Sequence, residues 1–285
     1  MKSALISPHC NELSSILVVI PAIAAHRPIV EISLPMLKKR FKQASFLIVS
    51  PSPEIFNHLA DEQTRVEPDK AFSAVSKIEL EGMLSPDKRH KTSWYFQQLL
   101  KFWIVAQASN ERVLIVDADT ILISEIEIAP GVFFTSKERH LPYFEHFNAL
   151  FHADPPFKSS AITNFMWFSP IALRQMLLEI EYLHQESWWT AIINIANSIL
   201  NDGAFSEYET YANWYALRHG PHQEMPIHIF RRGDLLVNGT VTHIDAVRTT
   251  QLAGYSAIAF ELNHSRTIMR HLAAWLILRL GIKIW

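Results

Sequence analysis

Val113-Leu114-Ile115-Val116-Asp117-Ala118-Asp119-Thr120-Ile121-Leu122-Ile123 is the stretch on which the fold class turns. Four aliphatic residues, then carboxylates at i and i+2, then a second apolar run read as one buried strand interrupted by charge. Alternation along a strand puts Asp117 and Asp119 on one face. Carboxylates that close repel, so the pair asks for a divalent cation with phosphate oxygens as further ligands, or for one shared proton. The plainer alternative gives one Asp to capping the next turn and the other to water. The apolar setting argues against it, because charge buried without a partner is costly.

Working outward, the spacing of apolar residues predicts a helix over 94–108, with Leu99, Leu100, Phe102, Trp103 and Val105 inward, leading directly into this strand. Gln98 and Lys101 lie one turn apart on it and can face one ligand together, or else form a solvated face. Upstream, 15–20 reads as a buried strand, 29–41 as a helix ending in Lys38, Lys39, Arg40 and Lys42, and 45–49 as a strand. A short helix over 54–62 follows the Pro51-Ser52-Pro53 turn, and 64–67 reads as a third strand. This βαβαβ order predicts an α/β fold, a mainly parallel central sheet with helices on both faces. Beyond the carboxylates the texture is more irregular and aromatic. Strands are expected over 133–135, 161–168, 227–230, 235–237 and 257–261, and helices over 171–186 and 190–201.

The 285 residues, 49% hydrophobic and 11% aromatic, suffice for a sizeable core. A formal charge of -2 leaves no electrostatic footprint for duplex nucleic acid. Cys10 is the only cysteine, which rules out an intrachain disulfide and a Cys-rich zinc site and fits a reducing, cytoplasmic compartment. Lys2 before the apolar stretch 16–23, with Ala22-Ile23-Ala24 like a cleavage site at its end, imitates a signal peptide, but Pro8, His9, Asn11 and Glu12 break the layout and Pro21 ends the stretch as a first strand would. No segment reaches the roughly 18 uninterrupted apolar residues of a membrane span. The last 21 residues, 265–285, carry Arg266, Arg270, Arg279 and Lys283 with no acid, beside Trp275 and Trp285. Such a helix suits an anionic membrane surface, or equally a dipole-complementing helix packed on the domain.

Three motifs in order carry a resemblance: Trp94-Tyr95-Phe96-Gln97-Gln98-Leu99-Leu100-Lys101, Val116-Asp117-Ala118-Asp119-Thr120, and Phe205-Ser206-Glu207-Tyr208-Glu209-Thr210-Tyr211. With these the chain resembles nucleotide-sugar-dependent glycosyltransferases of the GT-A fold, and looks most like an uncharacterised bacterial family of surface-polysaccharide glycosyltransferases. The resemblance implies a Rossmann-like GT-A domain over 1–285, with a nucleotide-binding half over about 1–125, an acceptor-binding half over 126–264 and the basic helix 265–285. It implies a nucleotide-sugar donor, a UDP-sugar by preference, and a glycan or lipid-linked glycan acceptor. It further implies Mn²⁺ or Mg²⁺ on Asp119, with Asp117 on the ribose or on the metal through water. His264 is the candidate third ligand and His243 the second choice, among 14 histidines. Tyr95, Gln98 and Lys101 fall on the donor side, and Arg231-Arg232 could take a phosphate or an acidic acceptor.

Glu207 and Glu209 are the candidate catalytic carboxylates, with Glu207 preferred. The resemblance implies that in an inverting enzyme a carboxylate there takes the acceptor proton, a contribution of about 10²- to 10⁴-fold, whereas in a retaining one this region supplies an acid or amide below the sugar ring. The alternative for Glu209 is structural, since Ser206-x-x-Glu209 fits a capping box. Asn164 is a loose sugar-contact candidate. Phe144, Phe147, Trp167, Trp188, Trp189 and Trp214 could stack on sugars, although aromatic residues this frequent are more often core. Two rivals remain. One is a haloacid-dehalogenase-type phosphatase with Asp117 as nucleophile and Asp119 as acid/base; the other is a sugar- or nucleotide-binding protein without catalysis.

Overall fold

A computed structural model describes residues 15–126, 129, 131–201, 203–231, 233 and 254–260. The expected strand over 235–237, Arg232, His243, His264 and the basic segment 265–285 lie outside these residues.

The chain runs β1 (Ile16–Pro21), α1 (Arg27–Arg40), β2 (Ser45–Ser50), β3 (Thr64–Pro68), α2 (Lys77–Met83), α3 (Thr92–Gln107) and β4 (Arg112–Val116). There follow β5 (Thr120–Leu122), β6 (Val132–Thr135), α4 (Leu141–Phe151), β7 (Phe165–Phe168), α5 (Pro170–His184), α6 (Trp188–Ser198) and α7 (Glu207–His219). The last described elements are β8 (Gln223–Pro226), β9 (Ile229–Phe230) and β10 (Ala257–Ala259). The central sheet has the order β3-β2-β1-β4-β7. Its first four strands are parallel, and β7 closes the edge antiparallel to β4, with Val116 opposite Phe165. The near-continuous aliphatic runs of β1, β2 and β4 follow from their position, since inner strands of a parallel sheet are covered on both faces. Val30, Leu34 and Leu37 of α1, Leu99 and Phe102 of α3 and Leu173 and Met176 of α5 join them in one core.

The register Val19↔Ile115 places the ends of β1 and β4 at the same edge of the sheet. There the Asp stretch departs from its expected shape. It is two strands, not one: β4 stops at Val116, and the Thr120 amide donates to the Asp117 carbonyl at 2.9 Å to close a reverse turn. β5 then leaves for a second sheet of order β5-β10-β9. Ile121, Ile123, Phe230, Ile258 and Phe260 of this small sheet and its flanks bury against Ile29 of α1 in a separate core. The same-face argument for Asp117 and Asp119 therefore does not apply, because strand alternation is broken by the turn between them.

Other differences have local causes. The expected helix over 54–62 is two single turns of 3-10 helix, Pro53–Ile55 and Asn57–Leu59. Asp61 Oδ1 accepts from the Gln63 and Thr64 amides, an Asx arrangement that diverts the chain from a helix. The expected strand over 161–168 begins only at Phe165, because Asn164 takes a left-handed φ of 58° and a side chain, Glu209, claims the Ala161 amide. The sequence reading lacked α2, α4, α7 and β8 as elements, although Ser206 and Glu209 had marked where α7 begins.

Candidate functional site

A cleft of about 140 Å³ opens where β4 ends. Its wall includes Gln98 and Lys101 from α3, Asp117 after β4, Asn164 before β7, Ser206, Glu207 and Tyr208 at the start of α7, and Arg231 after β9. Each arrives for a sequence reason. α3 is apolar on most sides, so Lys101 enters the interior and must be answered there. It is 2% exposed, and its Nζ lies 2.6 Å from Asp117 Oδ1 and 2.6 Å from Glu207 Oε1. Tyr208 completes the group: its hydroxyl lies 3.3 Å from Lys101 Nζ and donates to Asp117 Oδ1 at 3.3 Å, and Lys101 sits 4.4 Å over its ring.

α7 owes its start to Ser206, whose hydroxyl accepts from the Glu209 amide at 3.3 Å. Glu207 and Glu209 fall in the first helical turn, where a negative charge complements the helix dipole. The Glu207 amide donates to Gln98 Oε1 at 3.3 Å, so Gln98 and Lys101 of α3 both meet this turn. The two acids then part company. Glu207 turns into the cleft wall, while Glu209 turns away to accept from Ser160 Oγ, the Ala161 amide at 3.0 Å and Asn213 Nδ2 at 3.2 Å. Only half of a capping box is present, since the Glu209 carboxylate is spent on residues 160–161.

The electrostatics follow from burial. Removal from water would lower the Lys101 ammonium, but Asp117 and Glu207 outweigh that and hold it above the usual lysine range, so it stays charged. Burial pushes the Glu207 carboxyl up while the charge on Lys101 pulls it back. Burial also lifts Glu209, to about 7, against its three donors. Tyr208 is raised well above an ordinary phenol by burial and by Asp117, and therefore donates and does not ionise. His26, preceding α1, is lowered by burial and raised in part by the charge of Asp117. Its Nδ1 is buried with no hydrogen-bond partner among the described residues.

The structure brings Asp117, Lys101, Gln98, Glu207 and Asn164 together in one cleft. Asn164 is fixed there by its carbonyl, which accepts from the Asp117 amide at 2.8 Å. Asp119 sits on the far side of the reverse turn, where its Oδ1 accepts from Thr120 Oγ1 at 3.2 Å and its carbonyl takes the Phe260 amide at 2.8 Å. Tyr95 is fully buried and its hydroxyl accepts from the Ala204 amide at 3.3 Å, which makes it a support behind the cleft and not part of the cleft wall. Phe144, Phe147, Trp167, Trp188 and Trp214 are core residues. The aromatic pair at the cleft is instead Trp94 and Tyr143, stacked with centroids 6.4 Å apart and planes at 16°. Tyr143, Tyr208 and His26 had no assigned role in the sequence reading. Tyr208 was legible, lying between the two glutamates, whereas nothing near Tyr143 or His26 signalled a site. Among the described residues no group of three or more His, Cys, Asp and Glu is placed to hold a metal.

A mainly parallel sheet with a polar cleft at the carboxyl ends of its strands defines an α/β fold, and that edge is where open α/β sheets take their ligands. The chain belongs to a family of unknown function, DUF6492, whose model matches residues 26–237. No curated protein matches it. Among solved structures it is similar to the galactosyltransferase LgtC in complex with donor and acceptor sugar analogs. That likeness has 9% sequence identity and a TM-score of 0.45, over 94% of this chain and 97% of that one.

Proposed function

We propose that the protein is a glycosyltransferase that moves a sugar from a nucleotide-sugar donor to a glycan or lipid-linked glycan acceptor, on a GT-A-like domain formed by the whole chain. The observation that carries the reading is the Lys101–Asp117–Glu207 group, a fixed ammonium between two carboxylates in a cleft walled by a stacked aromatic pair. Trp94 and Tyr143 offer faces to a sugar ring, and Gln98, Asn164 and Ser206 offer hydrogen-bonding groups to its hydroxyls.

In this reading the acceptor hydroxyl oxygen bonds to the anomeric carbon as that carbon's bond to the diphosphate oxygen breaks, and the bonding pair leaves with the nucleoside diphosphate. Glu207 takes the acceptor proton. Burial raises its affinity for a proton, and Lys101 keeps it aimed at the cleft. Glu209 is left with a positioning role.

The donor set at the turn suits a hard divalent cation. Asp119 and the second oxygen of Asp117 are carboxylate oxygens of the kind Mg²⁺ and Mn²⁺ prefer, and the remaining ligands would come from phosphate oxygens, water or His264. Such an ion would supply neutralisation of the charge that develops on the departing diphosphate. The basic segment 265–285 would hold the enzyme peripherally on the inner face of the plasma membrane, beside a lipid-linked acceptor.

The test is release of nucleoside diphosphate from a panel of nucleotide-sugars with Mn²⁺ present, set against phosphate release from small phosphoesters. Release of nucleoside diphosphate supports the transferase. Phosphoester turnover that depends on Asp117, with nucleotide-sugars untouched, would instead make this a phosphatase.

A further inference from the structure

Beside the cleft lies a larger cavity of about 460 Å³, within the range of sites that take small organic ligands. It opens at the ends of β6 and β8, whose parallel pairing runs to Thr135↔Pro226. Ser136, Ser159, Lys137, His228 and Tyr255 line it, and Arg231 lines both it and the cleft. The floor is rigid: Ser136 and Ser160 exchange backbone hydrogen bonds of 2.8 and 3.2 Å, and Ser160 is in turn held by Glu209. Past Arg231, the chain at Gly233 runs so close to Phe260 that an added Cβ would lie 2.7 Å from that ring, so the segment carrying Arg231 is packed against the small sheet.

The charges of this cavity are unequal. Lys137 and Arg231 are cationic, and among the described residues Glu138 is the one acid on its wall. Glu138 is already engaged, with Oε2 2.9 Å from an Arg231 guanidinium nitrogen. An anion entering here would replace one partner of Arg231 by another of the same charge and would gain Lys137 besides. A guanidinium is suited to that exchange, because its planar fork binds carboxylate or phosphate through paired hydrogen bonds. The serine hydroxyls and the Tyr255 ring are groups that a sugar uses, and they do not bear charge.

We propose that this cavity is the acceptor subsite and that it takes an acidic saccharide, with the anionic group of the acceptor between Lys137 and Arg231 and the reacting hydroxyl directed past Arg231 toward Glu207. This rests on the transferase reading of the cleft. The donor sugar then lies against Trp94 and Tyr143, and the two ligands meet at Arg231, the one side chain that both walls share among the described residues.

Calorimetry at low ionic strength with a uronate-bearing disaccharide, cellobiuronate, and its neutral counterpart, cellobiose, tests the proposal. The acid is expected to bind about tenfold or more tightly than the neutral sugar, with the margin shrinking as salt is raised. Lys137→Gln and Arg231→Gln should each reduce the margin between the two sugars. Lys137 is exposed and the Arg231 side chain is 27% exposed, so neither substitution removes a core group. Equal affinity for the two sugars, or a preference that survives both substitutions, overturns the subsite. A nucleotide-sugar titration on the same protein separates the two ideas. Donor binding without acid preference leaves the transferase reading standing and removes the subsite, whereas acid preference without donor binding supports an acidic-saccharide site and removes the transferase.

Discussion

Lys101 holds the cleft together by charge. Two carboxylates converge on it at 2.6 Å each, and its charge offsets the cost of holding Glu207 in the interior. Replacing Lys101 by Met should therefore cost about 3–5 kcal/mol of stability in urea unfolding, the usual penalty for stranding a buried charge. Adding Glu207→Gln to that variant should recover part of the loss, because one of the two stranded charges goes with it. Additive losses in the double variant would mean that the three groups are not coupled. Glu207→Gln alone should leave nucleotide affinity intact and lower transfer by about 10²- to 10⁴-fold. A Glu207→Gln enzyme with ordinary turnover would remove it as the base.

At the scale of the element, the first turn of α7 fixes both the cap and the site. Glu209 fastens residues 160–161, and the same loop carries Ile162 and Asn164 into the cleft wall. Its carboxyl is lifted from an ordinary 4.5 to about 7, so the folded protein binds a proton there that the unfolded chain releases earlier. Stability from this group is full below about pH 4.5 and falls as pH rises to about 7, by about 3 kcal/mol at ~1.4 kcal/mol per pH unit. His146 works the other way. Burial holds it near 4, so its contribution grows as pH rises from about 4 to 6.5. The difference in thermal midpoint between wild type and Glu209→Gln isolates the first group, and it should shift against the wild type across pH 4.5–7. A pH-independent difference would show that Glu209 is not carrying the proton.

For the molecule as a whole, legibility followed local order. The aliphatic runs of β1, β2 and β4 and the amphipathic α3 announced a parallel sheet, because burial on both faces leaves a pattern in the sequence itself. Asp117, Lys101, Gln98 and Glu207 were legible because motif order placed them together. What was not legible depended on partners far along the chain. The turn at Asp117–Thr120 exists because β5 pairs with β10, more than a hundred residues later. Tyr143 reaches the cleft only through the packing of α4. Deleting 265–285 belongs to this scale as well. It should lower binding to anionic vesicles at low salt, while unchanged binding would assign that segment to packing on the domain.

The most direct test of the central claim is a calorimetric titration of nucleotides and nucleotide-sugars, with and without Mn²⁺, against wild type and Asp119→Ala. The account predicts tight nucleotide-sugar binding that requires the metal and is lost in Asp119→Ala. Absence of nucleotide binding under every condition would contradict it.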